Sequence, residues 1–113
     1  MLKVGPLASL PPGEAVRLET TPPIAVFCTD DGELFAIDDT CTHQGASLAD
    51  GWLEGCRVEC PLHASTFDLR TGAVDVPPAK RGVRTHRVVV EDGEIFVEES
   101  TDTPNLPPGV TLS

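Results

Sequence analysis

Eleven prolines and ten glycines are spread through 113 residues. They interrupt the chain too often for a helix beyond about two turns, and no helical period groups the apolar residues. Short segments bounded by turn residues remain, so the expected class is all-β. Ala15–Thr20 alternates between two faces, Ile24–Thr29 is a continuous apolar run and Glu33–Ile37 follows Asp30-Asp31-Gly32, a hairpin turn signal. Val83–Glu91 and Glu94–Glu98 flank Asp92-Gly93, a second such signal, and Val88-Val89-Val90 reads as a strand centre.

Residues 40–68 differ in character. Every cysteine and histidine except Cys28 and His86 lies there, with Gly45, Gly51, Gly55 and Pro61. The expectation is a single domain over 1–113, with 40–68 a loop-carrying subdomain inserted into a β base made of 1–39 and 69–98. Residues 99–113, with Pro104, Pro107 and Pro108, form a tail that either drapes over the base or is disordered.

Charge excludes partners. Eight basic and eighteen acidic residues leave −10, the wrong sign for nucleic acid or an anionic membrane. The longest apolar run, Ile24–Cys28, is far too short to cross a bilayer. Lys3 is followed by Gly5 and Pro6 rather than an apolar stretch, so the expected location is cytoplasmic. Four cysteines in that setting point to metal or redox chemistry rather than to disulfides.

The decisive residues are Cys41-Thr42-His43 and Cys60-Pro61-Leu62-His63. Two thiolates and two imidazoles admit a tetrahedral zinc site or a Rieske [2Fe–2S] cluster, in which cysteines hold one iron and histidines the other. Zinc sites usually pair like with like within a loop. Here each loop offers one Cys and one His, which suits a cluster whose two irons must both be reached from each loop. Colour separates the two, since only the cluster absorbs visible light.

These motifs, with the stretch Ser47 to Gly55, Val58-Glu59 before Cys60, and Phe67-Asp68 before Thr71-Gly72, resemble the Rieske-type ferredoxins of bacterial aromatic-ring-hydroxylating dioxygenase systems. The resemblance runs from about Glu14 to Glu98. It implies an antiparallel β-sandwich or barrel base with a small cluster-binding subdomain, the Rieske fold. Carried over by position, it implies Cys41 and Cys60 on the buried iron and His43 and His63 on the outer iron. Ala46 and Leu62 stand where high-potential relatives carry a loop-bridging disulfide, and Phe67 where they carry a Tyr; Ser65 keeps their second hydroxyl position. Fewer donors to cluster sulfur imply a low potential, about −150 mV.

The resemblance further implies a monomeric one-electron carrier between an NAD(P)H-dependent ferredoxin reductase and a terminal oxygenase. The alternative is a small Rieske subunit of a larger reductase, such as an assimilatory nitrite reductase. Catalysis by the chain itself is not expected. A mononuclear iron site needs further histidines, and only His86 remains; a Gly-x-Gly-x-x-Gly dinucleotide turn is also missing. Cys28 and Cys56 read as inert apolar residues, His86 as an ordinary strand residue, Trp52 as packing and the pairs Asp30-Asp31 and Asp38-Asp39 as solvated turns.

Overall fold

The computed structural model describes residues 1–42, 46–61, 65–76 and 81–105. Among these residues ten strands lie in two antiparallel sheets: β1 (Leu2–Pro6), β2 (Ala15–Leu18), β3 (Ile24–Cys28), β4 (Leu34–Asp38), β5 (Trp52–Glu54), β6 (Arg57–Glu59), β7 (Thr66–Asp68), β8 (Val74–Val76), β9 (Thr85–Glu91) and β10 (Glu94–Glu98). The larger sheet runs β1-β10-β9-β4-β3-β2, the smaller β5-β6-β7-β8. The all-β expectation holds.

The five hairpin strands expected from the sequence appear within about two residues of their read limits. At Asp92 and Gly93 φ is 51° and 76°, the pair of positive values that a two-residue hairpin turn demands. β1 was not expected. It lies at a sheet edge, where Pro6 costs no central ladder bond, and a register shift falls between Lys3 and Gly5.

β3 is buried throughout, and alternation splits its side chains between two cores. Ile24, Val26 and Cys28 join Leu10, Ala36, Ile95 and Val97 inside the larger sheet. Ala25 and Phe27 join Ile37, Cys41, Leu48, Val58, Cys60 and Phe67 on the other side. The β3–β4 hairpin is therefore the wall shared by both cores.

In the smaller sheet Leu53 pairs with Val58, Val58 with Phe67 and Phe67 with Val74. This inward row closes the second core. Three-residue strands are too short to show a period, which is why this stretch reads as loops in the sequence. The sheet reaches Val76. Its β7–β8 turn packs backbone against backbone on the chain entering β9: Gly72 has φ +76°, and a Cβ there would overlap the Val83 carbonyl oxygen.

The described part of the tail drapes over the base. Arg84 Nη1 donates to the Ser100 and Asp102 carbonyls at 3.1 and 2.9 Å, and Asn105 Nδ2 donates to the Gly82 carbonyl at 3.0 Å.

Candidate metal centre

The first cysteine loop leaves the end of β4. Asp39, 1% exposed, accepts on Oδ1 from Ser47 Oγ at 2.8 Å and from Ala49 N–H at 2.9 Å. Its carbonyl takes the Leu48 N–H at 2.7 Å. Thr40 and Ser47 form a β-bridge, and within it Cys41 N–H donates to the Ala46 carbonyl at 2.9 Å. Thr42 ties the loop to the chain before β9 through a hydroxyl bond to the Arg81 carbonyl.

The second loop joins β6 to β7 and is built the same way. Glu59 pairs with Thr66, and within that pair Cys60 N–H donates to the Ser65 carbonyl at 2.7 Å. In both loops a cysteine amide thus bonds the carbonyl five residues on, inside a bridged stem. Cys41 and Cys60 are free, 1% exposed and members of one core with Phe67. Ser65, whose carbonyl takes the Cys60 N–H, is fully buried. His43 and His63 lie outside the described residues.

Two of the sequence expectations change. Asp38 and Asp39 are not solvated: both are 1% exposed and fully engaged. Asp38 takes Arg84 Nε on Oδ2 at 2.9 Å, Arg84 Nη2 on Oδ1 at 3.1 Å, and His86 Nε2 on Oδ1 at 2.8 Å. Burial alone would raise the Asp38 pKa; hydrogen bonds from His86 and Arg84, with the charge of Arg84, outweigh it and hold the carboxyl below its ordinary range. His86 Nδ1 accepts the Ser100 N–H at 2.9 Å, so the ring proton sits on Nε2 and both nitrogens are engaged. Nor is Trp52 packed: it is 63% exposed. Asp30 and Asp31 are exposed as expected. Cys28 is buried in the base core, which raises its thiol pKa, and Cys56 is half-buried.

The clamp by Asp39 is not legible in the sequence, where nothing marks this carboxylate as buried or links it to Ser47 and Ala49. The Asp38–Arg84–His86 group spans 48 positions and has no local signal.

Two buried thiols opening twin loops are the donor set that a thiolate-held iron of a Rieske cluster requires, and they fit that group. Residues 1–87 match the family described as "Rieske [2Fe-2S] domain". The chain belongs to the Rieske [2Fe–2S] family. The 3-phenylpropionate/cinnamic acid dioxygenase ferredoxin subunit of Escherichia coli strain K12 is 47% identical over 94 residues, 82% of this Rieske chain and 88% of that relative. Among solved structures, a chain in the complex of reduced oxygenase and oxidized ferredoxin in carbazole 1,9a-dioxygenase superposes with a TM-score of 0.80 at 35% identity, over 86% of this chain and 100% of that one. The Sphingomonas yanoikuyae B1 ferredoxin gives 0.80 at 38% identity, over 88% and 98%. The Rieske cofactor is a [2Fe–2S] cluster.

Proposed function

We propose that this Rieske protein is the one-electron carrier of an aromatic-ring dioxygenase system, taking electrons from an NAD(P)H-dependent ferredoxin reductase and delivering them to the terminal oxygenase. The observation that carries the reading is the pair of twin loops, each opened by a buried cysteine, in a chain that matches dioxygenase ferredoxin subunits over most of both lengths. Cys41 and Cys60 would hold one iron of the cluster, and His43 and His63 the other. When bound, the cluster accepts and releases one electron.

The chain's own residues set its behaviour. Asp39 fixes the stem of the first loop through Ser47, Leu48 and Ala49. Phe67 brings no hydroxyl to the second loop, so the potential sits near the bottom of the Rieske range. The third histidine, His86, has both nitrogens committed to Asp38 and Ser100, which leaves it unable to serve a catalytic iron. The protein therefore carries electrons and leaves ring chemistry to the oxygenase. It works as a monomer in the cytoplasm.

The test is anaerobic mixing of the holoprotein with reductase and NADH, followed by addition of oxygenase and aromatic substrate. The expected result is bleaching of the visible bands, then reoxidation coupled to product. A protein that stays oxidised, or that co-elutes permanently with a large reductase subunit on gel filtration, contradicts the carrier reading.

A further inference from the structure

The outer face of the small sheet carries a row the electron-carrying site does not use. Trp52 pairs with Glu59, Glu59 with Thr66 and Thr66 with Val76. Trp52 and Val76 are 63% and 44% exposed, two of the five large apolar side chains exposed among the described residues. Trp52 lies on the edge strand β5 and walls an open cavity of about 620 Å³ with Glu54, Arg57 and Glu59. An indole left in water on a sheet edge contributes nothing to the core, and large exposed aromatics are the residues that most often anchor protein partners.

Strand direction places the row. β6 runs from Arg57 through Glu59 straight into Cys60, and β7 starts at Thr66 directly after Ser65. The row is thus the last rung of the sheet before the second cysteine loop. Gly51, just before Trp52, packs so closely on the Glu59 carbonyl that a Cβ would overlap it, which fixes the backbone entering β5 against β6. Charge specifies the occupant. Arg57 is held by Asp75 at 2.7 Å, whereas Glu54 and Glu59 make no ion pair among the described residues. The cavity wall is therefore net acidic around an apolar centre.

We propose that this face docks the terminal oxygenase, Trp52 entering an apolar recess on it and Glu54 and Glu59 facing lysines or arginines around that recess. The inference rests on the carrier reading. It makes Trp52 the anchor of a small, transient interface centred beside the second loop, with the acidic rim governing salt sensitivity.

Holoprotein is titrated against the terminal oxygenase of the Escherichia coli 3-phenylpropionate/cinnamic acid dioxygenase system, with product formation and binding measured together. Trp52→Ala should keep the visible spectrum and midpoint potential of the wild type while raising Kd and the KM for ferredoxin about tenfold or more. Trp52→Phe should recover most of the affinity. Glu54→Lys should weaken binding at low salt and flatten its salt dependence. A wild type that neither binds nor supports turnover would remove the carrier reading and this inference together. Wild-type coupling matched by Trp52→Ala at every concentration overturns the inference alone. So does a shifted potential in Trp52→Ala, which would make the indole a shield of the cluster, or conversion of a dimer to a monomer, which would make the occupant a second copy.

Discussion

The two sheets bury polarity in opposite ways. The larger sheet seals charge against charge: Asp38, Arg84 and His86 satisfy one another within hydrogen-bond distance, and the tail closes over them through Ser100 and Asp102. Beside it, one buried thiol opens the loop after β4 and the other the loop between β6 and β7, each backbone fixed by its own stem, and the smaller sheet leaves its far side open around Trp52. A region whose buried charges, Asp38 and Arg84, are matched internally is a support. A region with buried thiols and an exposed aromatic face is suited to hold one thing and meet another. The difference assigns stability to the base and electron transfer to the small sheet.

That division is broken most severely at the cysteines. Cys41→Ser or Cys60→Ser should abolish the cluster while the base still folds, read as loss of visible absorption and iron with retained β-sheet circular dichroism. A variant with normal absorption would return the ligand roles to other residues.

In the base the largest effect falls at Asp38. Asp38→Ala strands the Arg84 charge, 9% exposed, and should cost about 3–5 kcal/mol in denaturant unfolding; a loss below about 1 kcal/mol would mean the network is not holding the base. Acid probes the same group. Its folded pKa lies below the ordinary 3.8, so its stabilisation is complete above that value and disappears as pH falls through the folded one. Acid unfolding should accordingly be shallower in Asp38→Asn, which has no carboxyl to protonate.

At the seam between the regions, Gly72→Ala forces a side chain into a positive φ and onto the Val83 carbonyl. A cost of about 1–3 kcal/mol is expected, with a cluster spectrum that persists in the folded fraction. The smallest effect sharpens the small sheet alone: Phe67→Tyr should raise the midpoint potential by adding a donor to cluster sulfur, with stability little changed. An unchanged potential would place the hydroxyl out of reach.

Legibility in the sequence followed the same boundary. β3, β4, β9 and β10 could be read because their turns, Asp30-Asp31-Gly32 and Asp92-Gly93, have local chemistry and their apolar runs are long. β5 to β8 could not, being three residues each, and β1 is masked by Gly5 and Pro6. The Cys41-Thr42-His43 and Cys60-Pro61-Leu62-His63 motifs are local and therefore legible. What supports them is not local: Asp39 reaches across to Ser47 and Ala49, and Thr42 to Arg81. Exposure was the hardest property to read, because Trp52 has the same neighbours in sequence whether it packs or projects.

Pulsed EPR of the reduced holoprotein grown on nitrogen-15 histidine tests the central claim most directly. The electron spin should couple to two histidine nitrogens, one from His43 and one from His63, and the His43→Ala and His63→Ala proteins should each lose one of them or lose the cluster. A reduced cluster with no histidine coupling would contradict the account.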